Sequence, residues 1–133
     1  LLNKHNVAGR IVFEIVEDEE LKSAERVSVF IERAKSMGAM IAIDDFGSGY
    51  SNFSYIIKIK PDYVKIDGSI IKDIDINKDS YAIASAIVAF AKDLGIKTIA
   101  EYVHSKEIFN VCKEIGIDEF QGFYLGIPSK KAF

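Results

Sequence analysis

The sequence predicts an α/β domain of the (β/α) barrel type, present in part: about five parallel strands alternating with four helices, with the N-terminal strands of a closed barrel missing. Two observations carry this. Strand-like and helix-like segments alternate from end to end, the signature of βα units around a parallel sheet. In addition, Met37-Gly38, Leu94-Gly95 and Ile115-Gly116 each end a helix and launch a strand, and every launched strand finishes in a polar residue. Gly38 leads to Asp44, Pro61 to Asp67, Gly95 to Glu101 and Gly116 to Gln121. In a barrel the C-terminal strand ends share one rim, so these side chains are expected to converge although they lie far apart in sequence.

The first expected strand, Arg10 to Val16, is rich in β-branched residues, and a helix from about Leu21 to Met37 follows, with Val27, Phe30, Ile31 and Ala34 on one face. Gly38 is its expected left-handed cap. The nearly all-apolar stretch Ala39 to Ile43 reads as a strand covered on both faces, ending at Asp44-Asp45. After Phe46-Gly47-Ser48-Gly49 a short helix is expected near Ser51, and Pro61 marks the entry to a strand over Asp62 to Ile66. A longer helix capped by Ser80 would bury Ile83, Ile87, Phe90 and Leu94 and close at Gly95. The next strand, Ile96 to Ala100, delivers Glu101. Ser105 then caps a helix carrying Ile108, Val111, Cys112 and Ile115, and Gly116 precedes a last strand around Ile117 to Phe120.

Composition narrows the function. The 133 residues are 49% hydrophobic and 28% charged, the balance of one globular domain. A formal net charge of -3 has the wrong sign for binding a DNA or RNA polymer, so any nucleotide bound must meet local cations. One cysteine, Cys112, excludes an intramolecular disulfide or a thiolate metal cage and favours a reducing, cytoplasmic setting. No apolar run reaches the roughly 20 residues that cross a bilayer. The chain does not start with Met, and the reading is that it begins part-way through a larger protein, which leaves room for membrane tethering elsewhere.

Glu14, Asp44-Asp45 and Glu101 lie at or near strand ends, and carboxylate oxygens are what hard divalent cations such as Mg²⁺ or Mn²⁺ take. Adjacent aspartates can bridge two such ions, which clamp the attacking and leaving oxygens of a phosphoryl displacement. An isolated Asp-Asp pair is more often a solvated turn, but here an apolar strand delivers it to the functional rim. Glu14, in phase with Val12 and Val16, is either a ligand or half of a structural ion pair. Lys65 shares a strand face with Asp67. It either orients a nucleophilic water or a phosphate oxygen, or forms a structural salt bridge. Glu17 belongs to an acidic run that complements a helix N-terminus. Gln121 places an amide beside Phe123 and Tyr124, where a guanine edge would fit, although packing is the commoner role for the rings. His104 and Cys112 lack partners for a zinc site or a Cys-His nucleophile, and His5 lies near an end expected to fray, so none is assigned chemistry.

These residues resemble the EAL-type cyclic di-GMP phosphodiesterases of bacterial signalling. The matching stretches are Phe13 to Glu17, Ile43 to Ser51, Asp62 to Asp67, Ile99 to Val103, and Phe120 to Tyr124 with Pro128 after it. They run in the family's order over essentially the whole chain, so residues 1–133 read as the C-terminal portion of a single EAL-type barrel domain. The resemblance implies a TIM-like barrel with two Mg²⁺ or Mn²⁺ ions that opens cyclic di-GMP to the linear dinucleotide with activated water. Carried over by motif, Glu14, Asp44 and Asp45 would ligate metal, while Glu101 would assist the metal centre or the water. Lys65 would hold the water or the phosphate, Gln121 would sit at the substrate, and Glu17 would anchor the glycine loop.

Two departures bear on activity. The family's Glu-Ala-Leu segment and a metal-binding asparagine belong upstream of residue 1, so this stretch does not complete the site alone. Tyr102 and His104 stand where similar domains usually have glycine and a second glutamate. Two functions follow from the same residues: a cyclic di-GMP phosphodiesterase joined to other domains of its parent, or a degenerate cyclic di-GMP receptor or protein-interaction module. Part of a barrel leaves open sheet edges, so self-association through those edges is also expected.

Overall fold

The computed structural model describes residues 2–7, 10–16, 24–47 and 53–122. They form a six-stranded sheet in the order β1-β2-β3-β4-β5-β6 with five helices among its connections. The strands are β1 (Leu2–Val7), β2 (Arg10–Val16), β3 (Met40–Phe46), β4 (Tyr63–Ile66), β5 (Lys97–Ala100) and β6 (Glu119–Phe120). The helices are α1 (Ala24–Ser36), α2 (Phe53–Ile59), α3 (Gly68–Ile71), α4 (Lys78–Asp93) and α5 (Lys106–Ile115). From β2 to β6 every neighbouring pair is parallel, which is the expected α/β architecture of five parallel strands.

Because side chains alternate across a strand, the sheet has two differently built faces. One is covered by the helices: Ile41, Ile43, Val64 and Ile66 pack there with Ile87 and Ile108 in a large continuous core. The opposite face carries Val12, Ala42, Tyr63 and Ile99 as a small apolar layer with Met40 against it. The next residues in phase with that layer, toward the strand C-termini, are Glu14, Asp44, Lys65 and Glu101. An apolar floor therefore lies beneath a charged tier on one face of the sheet.

Strand starts are pinned by a repeated device. The Asp62 carboxylate accepts from Ile41 N–H at 2.8 Å, and the Asp118 carboxylate accepts from Thr98 N–H at 2.9 Å. Each aspartate lies just before its own strand and ties it to the beginning of the neighbour. The registers that set the height of the charged tier are thereby held from below.

The structure corrects several expected boundaries. Leu2–Val7 is a strand antiparallel to β2, preceding the first strand that the sequence predicts. Its Asn3-Lys4-His5-Asn6 centre has no apolar alternation to announce a strand, and backbone pairing with β2 defines it. A fifth helix, α3, is a single turn whose N-cap is Asp67. The long helix α4 is capped by Asn77, which accepts from the N–H groups of Asp79 and Ser80, and not by Ser80. Ser80 lies inside the helix and donates its hydroxyl to Asp73. The buried stripe of α4 is Ala84, Ile87, Val88 and Ala91, so Ile83 and Leu94 face outward. The expected caps at Ser105 and Gly116 are present, and Gly38, Gly95 and Gly116 all take left-handed φ.

At the far end of the sheet, Gly122 lies so close to β5's continuation that a Cβ on it would overlap the Val103 backbone. Gly95 has open space at the same position and carries only the left-handed requirement. Gly95→Ala is thus expected to destabilise by about 1–2 kcal/mol, and Gly122→Ala by clearly more. Urea unfolding midpoints of the two variants check this order, and equal losses would contradict the close approach.

Candidate metal and phosphate site

Lys65 is the centre of the charged tier. Its side chain is 7% exposed, and Nζ lies 3.2 Å from Glu14 Oε1, 3.5 Å from Glu101 Oε2 and 3.9 Å from Asp44 Oδ1. A lone ammonium so deeply buried would lose its proton to avoid desolvation. Burial does press the Lys65 pKa down, but Glu101, Asp44 and Glu14 outweigh it, and the net shift is upward. Four different strands or strand ends meet at this one cation.

The two aspartates reach the site through an irregularity in β3. Ile43 pairs with Val64, but the next matched pair is Phe46 with Ile66, so β3 holds one residue more than β4 over this span. Such a β-bulge re-aims side chains locally. Asp45 absorbs it with φ 53, a left-handed conformation that aspartate tolerates better than most residues. In a flat strand Asp45 would face the helices; here Phe46 takes that direction and is buried, while Asp45 is coupled to Asp44, Asp67 and Lys65. The Asp44 carboxylate in turn accepts from Asp45 N–H at 2.9 Å.

Asp44, Asp45 and Glu101 each offer a carboxylate oxygen, and these three atoms lie within 4.8 Å of one another. Burial first, then the charges of Asp44 and Asp45, push the Glu101 carboxyl up to about 7, with Lys65 opposing. Asp45 is likewise raised, by burial and then by Asp44 and Asp67. Crowded carboxylates that one lysine does not neutralise fit a hard divalent cation, whose charge and oxygen preference match the donor set.

The sequence-selected residues thus fall into distinct places. Glu14, Asp44, Asp45, Lys65 and Glu101 come together on one face. Among the described residues, the trio able to close on one cation is Asp44, Asp45 and Glu101, while Glu14 is held in its ion pair with Lys65. Gln121 is half-buried on the adjoining strand end, where its backbone N–H donates to Ala100 O and its carbonyl accepts from Val103 N–H, both at 2.8 Å. Glu17, the loop Ser48 to Ser51, Phe123, Tyr124 and Pro128 lie outside the described residues. Asp67, two residues after Lys65, is a site neighbour that the sequence signals only through that phase. Its carboxylate caps α3 through Ser69 N–H at 3.0 Å and also interacts with Asp45. His104, which carries no assigned chemistry, turns away and its Nε2 lies 3.0 Å from Lys72 O.

A parallel sheet with oxygen donors gathered at its strand tips is a scaffold for metal-assisted chemistry on phosphates. The comparisons narrow that class: the family model described as EAL domain matches residues 1–128, and the chain belongs to that family. The cyclic di-GMP phosphodiesterase PdeB of Shewanella oneidensis is 35% identical over 92% of this chain, which spans only 14% of PdeB. The PaMucR phosphodiesterase, solved as a c-di-GMP complex, matches with a TM-score of 0.80 and 35% identity, covering 88% of this chain and 47% of that one. BlrP1 of Klebsiella pneumoniae, solved with manganese and cyclic di-GMP, matches with a TM-score of 0.79 and 34% identity over 84% of this chain and 29% of its own.

The raised Glu101 carboxyl has a measurable consequence for the metal-free protein. Between its ordinary value of 4.5 and about 7 the folded state holds a proton that the unfolded state has released. Stability therefore falls as pH rises through this window, by a contribution on the order of 3 kcal/mol. Urea titrations at pH 5 and pH 8 are expected to show the fall in the wild type and a flatter dependence in Glu101→Gln. An equal slope in both would remove Glu101 as the source.

Proposed function

We propose that the protein carrying this chain is a metal-dependent cyclic di-GMP phosphodiesterase, opening cyclic di-GMP to the linear dinucleotide. The carrying observation is the convergence of Asp44, Asp45 and Glu101 beside the buried Lys65. Glu14, Asp44 and Asp45 are assigned as ligands of Mg²⁺ or Mn²⁺, with Glu101 completing the oxygen set. When bound, the ions supply charge neutralisation at phosphate and a more acidic water.

The chain's own residues divide the remaining work. Lys65 Nζ donates to a non-bridging phosphate oxygen or to the attacking water, offsetting charge that develops at phosphorus. Glu101, whose carboxylate lies 3.5 Å from Lys65 Nζ, is assigned to assist the metal centre or to position the attacking water. One phosphodiester P–O bond is exchanged for a bond to the water oxygen, and the leaving sugar oxygen takes up a proton. Gln121 is assigned to the guanine edge and Glu17 to the loop that follows the aspartates.

The relatives extend well beyond the region matched here, so the activity is assigned to the longer protein together with its other domains. No helix among the described residues is long and apolar enough to cross a membrane. The second reading, a cyclic di-GMP receptor without turnover, is favoured by His104, an imidazole engaged with a backbone carbonyl where similar domains place a glutamate.

The longer protein, supplied with Mn²⁺, is expected to convert cyclic di-GMP to the linear dinucleotide, and Lys65→Met to lower kcat by about 100-fold or more. Chromatography of the products decides it: binding without conversion supports the receptor, and conversion unchanged in Lys65→Met refutes the role of Lys65. The 133-residue chain alone is expected to self-associate through its sheet edges, β1 and β6. Light scattering showing a monodisperse monomer would exclude this.

A further inference from the structure

Tyr102 is an exposed aromatic residue held in a conformation that needs an explanation. Its backbone sits at φ 61, where a Cβ crowds the chain. Its side chain remains 63% exposed, so burial returns little for that strain. The turn is imposed by its neighbours: Gln121 accepts from Val103 N–H and donates to Ala100 O, which brackets Glu101 and Tyr102 into a two-residue arch. The arch sends Glu101 toward Asp44 and Asp45 and lays the Tyr102 ring over Gly68.

Gly68 is buried, and a Cβ there would fall within the Cγ–Cδ2–Cε2 side of the ring, so the missing side chain is the seat of the tyrosine. Asp67, next to Gly68, is the residue whose carboxylate meets Asp45. Tyr102 thus directly follows Glu101, and the glycine under its ring directly follows Asp67. One part of the ring is fixed by Gly68 and the rest is open to solvent.

We propose that Tyr102 is a substrate-contacting specificity residue, a preset aromatic platform on which one purine base stacks while its phosphate is held at Asp44, Asp45 and Glu101. The inference rests on the phosphodiesterase reading and adds a base contact to it. A nucleotide separates its base from its phosphate by a single sugar, and the platform belongs to the residue that directly follows Glu101. Aromatic rings accept the π-face of a base with little entropy loss once their rotamer is fixed, which the Gly68 seat provides.

The test uses the longer protein in three forms, wild type, Tyr102→Gly and Tyr102→Phe, with calorimetric binding of cyclic di-GMP and of Mn²⁺ and a separate turnover assay. Tyr102→Gly, in which glycine suits the left-handed turn, is expected to weaken cyclic di-GMP binding roughly 5- to 10-fold, with Mn²⁺ affinity at the wild-type value and thermal stability equal or higher. Tyr102→Phe is expected to bind cyclic di-GMP as the wild type does. Unchanged cyclic di-GMP affinity in Tyr102→Gly overturns the platform, as does a parallel loss of Mn²⁺ affinity, which would make the residue a support of the metal site. Wild-type binding without turnover removes the phosphodiesterase reading and leaves the platform to be judged by the same affinities; absence of wild-type binding overturns both.

Discussion

The ammonium of Lys65 is the constraint on which the charged face depends. It is buried, and it is tolerable only because Glu14, Asp44 and Glu101 surround it. Those carboxylates are in turn tolerable only because the cation is there. Strands β2, β3 and β4 and the tip of β5 therefore share one electrostatic problem, and none can shift its height in the sheet without leaving a charge exposed to the apolar floor. The side-chain pins from Asp62 and Asp118 at the other end of the strands work to the same effect by holding register.

Lysine nevertheless leaves the site unbalanced. Glu101 is driven to about 7 and Asp45 is raised, first by burial and then because the carboxylates face one another across a small volume. Protonation relieves this repulsion in the metal-free molecule, and a divalent cation would relieve it more completely. The same crowding that makes the site receptive to a metal makes its affinity sensitive to protons. The bulge in β3 belongs to this balance, since without the extra residue Asp45 would join the helix-facing core and Phe46 would be displaced from it.

Much of this was legible in the sequence. Apolar strands ending in Asp44, Asp67, Glu101 and Gln121, each launched by a glycine or proline, disclosed the parallel sheet and the tier of polar ends. Strand ends and strand phase already set Glu14 and Lys65 beside the aspartates, with ligand and ion-pair roles both open, and the family resemblance added the metal and phosphate roles. What escaped has physical reasons. Strand β1 is polar through its centre, so no periodicity marks it, and only pairing with β2 defines it. The bulge is a mismatch between two strands and cannot be read from either one alone. In α4 the expected Ile87 is buried, but Ile83 and Leu94 also suggested the stripe, whereas the helix packs against β4, β5 and α5 with Ala84, Val88 and Ala91 turned inward, so side-chain size alone does not mark the contact. Asp67 looked like a strand end and proved to be both the cap of α3 and a neighbour of Asp45.

The two backbone hydrogen bonds, Gln121 N–H to Ala100 O and Val103 N–H to Gln121 O, clamp a stretch of defined length. Side chains within that stretch can be exchanged, as a tyrosine in a glycine-like conformation demonstrates. A single inserted or deleted residue would break one of the two bonds and swing Glu101 off its companions. This short span is consequently permissive in chemical identity and strict in number, so divergence among proteins of this kind should register there as substitution while the residue count stays constant.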